Sequence, residues 1–380
     1  MLRGLMAVPL LDLTRQYQHL QHDLEAAVLG VMRSCRFIHG PEVEGLEREL
    51  AAYLGCKDVV GLSSGTDALL APLMALGVGK GDEVLVPVYS FFATAGVVSR
   101  LGATPVFVDV EPRFHNLDPV ALKAALERHP KAKAVIVVHL FGAPADMPAI
   151  RAVVDPRGIP IIEDCAQAIG TRRNGRHVGA DGLCSAWSTF PSKNLGGAGD
   201  GGFLGTDDVE FGKRIRQLRN HGQSELYFHQ TVGGNFRLDA LQAAVLRVKL
   251  KHVDAFNERR RANAAKYRAL VAEAGIEKFV QLPEDVADRH TYHQFVTHLR
   301  GVDRDTVKQH LTERGVGCAV YYPLPFHLQP CFADLGWRKG EFPVAEAASK
   351  TNLALPIFPE LTDAEIHEVV RVLAEAVRGK

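Results

Sequence analysis

Short apolar runs alternate with amphipathic stretches between positions 58 and 205, and this change of period organises the first half of the chain. Val59-Val60-Gly61-Leu62, Glu83-Val84-Leu85-Val86, Pro105-Val106-Phe107-Val108, Ala134-Val135-Ile136-Val137-Val138 and Pro160-Ile161-Ile162-Glu163 are β-branched and nearly continuous, which predicts strands buried on both faces. The stretches between them carry the spacing of crossover helices, so an α/β domain with a mostly parallel sheet flanked by helices is expected. A pattern rich in Ala, Leu, Arg and Lys over 238–274 predicts one long helix leading out of that domain. Beyond it, 292–296 and 317–322 read as strands and 304–314 and 363–377 as helices, a smaller α+β unit. The predicted division is 1–250 for the large domain with its N-terminal segment and 251–380 for the C-terminal domain. No internal repeat or low-complexity linker interrupts it.

Composition narrows the class. The 380 residues hold 44 Lys+Arg and 44 Asp+Glu, so the absence of net charge argues against a nucleic-acid footprint and for a small-molecule partner. Six cysteines without a Cys-x-x-Cys pair indicate neither a zinc ribbon nor a disulfide framework, and no metal site is expected. Pro9 and Asp12 cut the apolar N-terminus short of a signal sequence, and no run reaches the roughly 18 apolar residues of a membrane span. A soluble cytoplasmic protein is expected.

Polar residues gather just past the strand ends, where open α/β sheets form their ligand crevice. Ser63-Ser64-Gly65-Thr66-Asp67 follows a strand and opens a helix, so the backbone N–H groups of Gly65 and Thr66 stand at a positive helix end suited to phosphate. The same residues suit an ordinary capped helix start. Asp109, His139 and Asp164 also sit at strand ends. Asp164, after a strongly apolar strand, calls for a cationic partner in a dry crevice, or serves as a helix cap. Lys193, 29 residues later in Ser188-Thr189-Phe190-Pro191-Ser192-Lys193-Asn194-Leu195-Gly196-Gly197, has room to reach that crevice after one further strand at 184–188. A lone lysine is usually exposed, but a desolvated one is a nucleophile and proton carrier, and the glycines beside it permit close approach of a ligand. Phe91 and Phe92 follow a strand, and one ring could stack on a planar cofactor; core packing is the plainer reading for both. A lysine for a Schiff base, a carboxylate for a pyridinium nitrogen and a helix end for a phosphate make a set that suits pyridoxal 5′-phosphate.

Taken in order, the motifs resemble those of the DegT/DnrJ/EryC1/StrS family, pyridoxal-phosphate sugar aminotransferases of fold type I. The resemblance runs from Leu11-Asp12-Leu13-Thr14-Arg15-Gln16-Tyr17 through Ser64-Gly65-Thr66-Asp67-Ala68-Leu69, Glu163-Asp164-Cys165-Ala166-Gln167-Ala168, Pro191-Ser192-Lys193-Asn194-Leu195-Gly196 and Gly234-Asn235-Phe236-Arg237-Leu238-Asp239 to Tyr321-Tyr322-Pro323-Leu324-Pro325-Phe326-His327-Leu328-Gln329-Pro330. It implies a mostly parallel seven-stranded sheet. It also implies that Lys193 and Asp164 are catalytic, that Gln167 lies beside the cofactor ring, that Phe91 stacks on it, and that Gly65, Thr66 and Ser188 hold the phosphate. Asn235 would join them from the neighbouring subunit of a homodimer with shared sites, or of a tetramer. His229, Tyr321 and His327 resemble positions lining the sugar-nucleotide pocket. Cys165 and Ile169 depart from the family's common Ala and His, and the family pattern starts near Met6, so residues 1–5 read as an extension or a misassigned start.

The resemblance implies transfer of an amino group from L-glutamate, released as 2-oxoglutarate, through pyridoxamine 5′-phosphate to a nucleotide-linked ketosugar. The 3-keto position of a dTDP-6-deoxyhexose or a UDP-sugar is expected, for an amino sugar of a polysaccharide, such as a lipopolysaccharide O-antigen, or a glycoside. Amination at C4 is the alternative, and a pyridoxal-phosphate-binding regulatory protein without turnover is the rival from another class. Lys193 stands where a dehydratase branch carries His, and no cysteine sits in a context suited to desulfuration.

Overall fold

The computed structural model describes residues 7–285 and 289–379, so the choice of start between Met1 and Met6 falls outside it. Two helices come first, α1 (Leu13–Ser34) and α2 (Pro41–Leu54). A central sheet follows: β1 (Asp58–Leu62), β2 (Glu83–Pro87), β3 (Thr104–Val108), β4 (Ala134–Val138), β5 (Ile161–Asp164), β6 (Cys184–Ser188) and β7 (Gly202–Thr206). Helices α3 (Gly65–Ala75), α4 (Ala93–Arg100), α5 (Pro119–Arg128), α6 (Met147–Val154) and α7 (Val209–Arg219) connect or flank these strands. The order across the sheet is β1-β7-β6-β5-β4-β2-β3, and only β7 runs against its neighbours. This is the expected mostly parallel, seven-stranded α/β sheet flanked by helices.

The continuous apolar strands are buried on both faces because successive side chains point to opposite sides. Val84, Val86, Ile136, Val138 and Ile162 belong to one core cluster, while Leu85, Val135, Val137 and Ile161 belong to another across the sheet. The strand β7 lay hidden in the sequence. Gly202-Phe203-Leu204-Gly205-Thr206 has only two large apolar residues, and its glycines are required by crowding: a Cβ at Gly202 would lie 2.5 Å from the Ser64 carbonyl carbon.

The pattern over 238–274 forms two helices instead of one, α8 (Ala240–Leu250) and α9 (Val253–Glu273), with Lys251 and His252 between them. Helical propensity is uniform along this stretch, so it cannot report a break set by packing. α8 packs on α1 and α2, while Ala264, Tyr267 and Val271 of α9 enter a separate core with Val8 and residues between 276 and 377. In that second unit β8 (Val280–Gln281), β9 (Phe295–Leu299), α10 (Arg304–Glu313), α11 (Pro343–Thr351), β10 (Asn352–Leu355) and α12 (Asp363–Arg378) follow, the strands forming an antiparallel β8-β9-β10 sheet. The strand expected at 292–296 is displaced to β9, and 317–322 is an extended strap joined to β10 by a single bridge, Ala319 to Ala354. Among the described residues no helix is long and apolar enough to cross a membrane.

Candidate active site

Strand register builds the site. β1 and β6 flank β7 antiparallel to it, so they point the same way as β5, and their carboxyl ends emerge on one edge. Leu62 and Ser188 both pair with Gly202, from opposite sides, which sets Ser188 against the start of α3. The approach is close: a Cβ at Gly65 would lie 2.6 Å from that of Ser188. Ser64 caps α3, its Oγ accepting the Asp67 N–H at 3.0 Å and donating to Asp67 Oδ2 at 2.8 Å. This cap leaves the first two N–H groups of the helix, on Gly65 and Thr66, without an intrahelical carbonyl. The helix start is therefore both capped and open to an anion.

A cavity of about 580 Å³ opens there. Gly65, Thr66, Phe91, Asp164, Gln167, Ser188, Lys193 and Tyr321, all singled out in the sequence, line it together. Asp164 is buried; Thr94 Oγ1 donates to its Oδ2 at 2.9 Å and the Ala166 N–H to its Oδ1 at 3.1 Å. Burial pushes its carboxyl pKa up, against the opposing pull of Thr94, Ala166 and Lys193. Among the described residues no cation lies within 4.0 Å of it. Lys193 stands at the cavity wall, enclosed enough that burial lowers its pKa from 10.5 to about 8, and Asp164 offsets only part of the shift. The surface reading of this lysine fails. Phe91, 56 % exposed, presents its ring to the cavity, and Phe92 stacks on Phe332 with 5.6 Å between ring centroids. Neither is a core aromatic.

Gln167 has a fixed amide. Its Oε1 accepts the Phe141 N–H at 2.7 Å, so Nε2 is the donor to Tyr322 Oη at 3.1 Å. Tyr322 had no separate signal beside Tyr321 in the sequence, and nothing local marked Thr94, His293 or Gln294, which also border the site. Their spacing from Asp164 and Lys193 is purely tertiary.

Four residues singled out in the sequence stand elsewhere in this chain. His327 is buried, with Nε2 3.0 Å from Glu346 Oε1 and its ring on Phe342, so it does not line the cavity. A motif position shows which residue is present but not that a buried carboxylate draws its side chain inward. His229 lies on an exposed hairpin, its Nδ1 2.9 Å from the His221 carbonyl oxygen, and Asn235 is exposed near the same hairpin. Neither borders this chain's own cavity. Asp109 caps α11, receiving the Val344 and Ala345 N–H groups at 3.1 Å.

The buried group His139, Glu163 and Cys165 has the proximity of metal ligands, but Glu163 and His139 are committed to other partners. Glu163 accepts the Gly179, Asp181 and Gly182 N–H groups and faces His139 Nε2 at 2.9 Å, while His139 Nδ1 accepts the Ala145 N–H.

The open first turn of α3, the unpaired Asp164 and the exposed ring of Phe91 fit a flat, phosphorylated, protonated heterocycle within reach of Lys193, and so fit pyridoxal phosphate. Comparison with known proteins agrees. The model of the DegT/DnrJ/EryC1/StrS aminotransferase family matches residues 18–374. A "pleiotropic regulatory protein" of Geobacillus stearothermophilus is 46% identical over 98% of this chain and 99% of its own length. The UDP-N-acetyl-3-dehydro-α-D-glucosamine 3-aminotransferase of Acidithiobacillus ferrooxidans is 43% identical over 98% and 99%. The crystal structure of S. venezuelae DesV with a ketimine intermediate superposes with a TM-score of 0.93, at 41% identity, over 98% of both chains.

Proposed function

This chain belongs to the DegT/DnrJ/EryC1/StrS aminotransferase family, and on that premise we propose that it transfers an amino group from L-glutamate to a nucleotide-linked ketosugar, using pyridoxal phosphate. Lys193 standing in one cavity with Asp164 and the first turn of α3 is the observation that carries this reading. When bound, the cofactor supplies an aldehyde and an electron-withdrawing ring. The N–H groups of Gly65 and Thr66 and the Ser188 hydroxyl would hold its phosphate, and Phe91 and Gln167 would contact its ring. Asp164, which accepts hydrogen bonds from Thr94 Oγ1 and the Ala166 N–H, would accept the pyridine N–H. Lys193 Nζ takes the proton from the donor's α-carbon and returns one to the sugar carbon. Its lowered pKa keeps a usable fraction as free amine near neutrality.

The acceptor carbon is C3, a reading supported by the 3-aminotransferase from A. ferrooxidans. The sugar carrier is a dTDP-6-deoxyhexose or a UDP-sugar. The enzyme works in the cytoplasm as a homodimer, the partner's Asn235 completing each phosphate site. Exposed Leu226, Tyr227, Phe228 and Val232 around the hairpin support such a docking. The chain divides at 250/251, between α8 and α9.

Reverse transamination tests this: the pyridoxal form is offered dTDP-, UDP- and GDP-amino sugars, with 2-oxoglutarate consumption and product mass as readouts. Consumption with a 3-amino sugar nucleotide is expected, and none with any amino sugar overturns the proposal. The regulatory name of the G. stearothermophilus relative favours a second reading, a binding protein without turnover. Such a protein would leave the cofactor band unchanged when mixed with glutamate.

A further inference from the structure

His293 lines the same cavity as Lys193 and has no role in the chemistry proposed above. It precedes β9, and its ring is held by a chain of buried amides that starts at α9. Asn257 Nδ2 donates to the Ile169 carbonyl at 2.9 Å, so its Oδ1 is free to accept Asn194 Nδ2 at 2.7 Å. Asn194 Nδ2 also lies 3.2 Å from the Thr291 carbonyl, which fixes Asn194 Oδ1 as the acceptor facing His293 Nδ1 at 3.0 Å. His293 is therefore the Nδ1–H tautomer, and Nε2 carries a lone pair. Burial and the Lys193 charge hold its pKa well below the usual imidazole value, so the ring stays neutral.

Asn194 follows Lys193 directly in the chain, so this bond ties the imidazole to the lysine's own backbone. His293 lines the same cavity wall as Lys193, and neither its Nε2 nor Lys193 Nζ has a hydrogen-bond partner among the described residues. A neutral lone pair can hold an amine N–H without adding charge, whereas Asp164 favours the ammonium form. We propose that His293 is a positioning residue for Lys193: Nε2 accepts an N–H of the free lysine amine and turns the nitrogen's lone pair toward the reacting carbon. The inference rests on the reading of Lys193 as the residue that carries pyridoxal phosphate.

The test uses cofactor-free full-length protein and the variants His293→Phe, which fills the space without an acceptor, and His293→Gln, which keeps a donor for Asn194 and an acceptor oxygen. Two quantities are measured. One is the affinity for the 4-deoxy analogue of pyridoxine phosphate, which has no aldehyde. The other is the rate at which pyridoxal phosphate is captured at Lys193, a step in which a C=N bond forms and water leaves. Absorbance at about 400 nm follows that capture, and mass after borohydride reduction confirms it. His293→Phe is expected to bind the analogue like the parent but capture the aldehyde about tenfold more slowly, the effect of losing one hydrogen bond. His293→Gln should recover most of the rate. Equal capture rates in all three proteins overturn the role of His293 and leave the cofactor reading standing. A parallel loss of analogue affinity in His293→Phe makes the residue structural and also overturns the role. If the parent neither binds the analogue nor captures the aldehyde, both readings fall together.

Discussion

Gln167 donates to the hydroxyl of Tyr322 at 3.1 Å, and this bond ties the loop after β5 to the strap of the second unit across the cavity. The strap is anchored from below by Tyr89, whose hydroxyl donates to the Tyr321 carbonyl and accepts the Tyr322 N–H, both at 2.7 Å. Replacing Tyr322 by Phe removes the acceptor of Gln167 Nε2, in a buried amide whose oxygen is already committed to the Phe141 N–H. A loss of about 1–3 kcal/mol in stability is expected, with the fold retained. Denaturant unfolding of parent and variant, at equal slopes, measures it.

Replacing Lys193 with Ala or Arg should abolish turnover and remove the absorbance at about 400 nm that a lysine-bound cofactor gives. A variant that keeps full activity would remove Lys193 from the mechanism.

The Lys193 shift also has a signature in stability. Its folded pKa, about 8, lies below the ordinary 10.5, so between these values the unfolded chain binds more protons than the folded one. Stability contributed at this site therefore rises with pH across that window, and the full cost of the buried ammonium is present below it. In cofactor-free protein, Lys193→Met should be more stable than the parent at pH 7, with the gap narrowing from about pH 8 to 10.5. A gap that is constant with pH would refute the shift.

Arg15 of α1 holds Glu365 of α12 with two bonds, 2.6 and 2.9 Å, beside the capping box formed by Thr362 and Glu365. Arg15 keeps the Glu365 carboxyl down at about 2. A depressed carboxylate stabilises the fold above its unfolded pKa and loses that contribution as pH falls from about 4.5 to 2. Arg15→Met should therefore destabilise the protein at pH 7 by about 1–3 kcal/mol, and the difference should shrink in that acid window. Unfolding curves at pH 7 and pH 3 decide it.

The proposed sharing of sites between two subunits predicts complementation. On that proposal Lys193→Ala and Asn235→Ala would disable the same site from opposite subunits, so a hybrid dimer would have one site lacking both residues and one intact site. If Asn235→Ala alone is inactive, mixing the two variants under subunit exchange should restore about a quarter of parental activity, because half the dimers are hybrids. No recovery, with exchange verified by mass, would place Asn235 outside the partner's site.

The sequence by itself determined the strands and the chemistry at their ends. Continuous β-branched runs permit little but buried strands, and Ser64, Gly65 and Asp164 are legible because each follows such a run, whereas Lys193 is marked by its hydroxyl- and glycine-framed loop and Ser188 by the family resemblance. Only the tertiary structure decided what depends on neighbours far along the chain. It broke the 238–274 pattern into two helices, where propensity is blind to packing, and it recruited the glycine-rich β7 because Ser64 and Trp187 leave room for nothing larger at Gly202. It turned His327 away to Glu346, and brought Thr94 to Asp164 and His293 to Asn194. Hydrogen-bond partners 70 or 99 residues apart leave no periodic trace, because local periodicity records burial and not which polar group meets which.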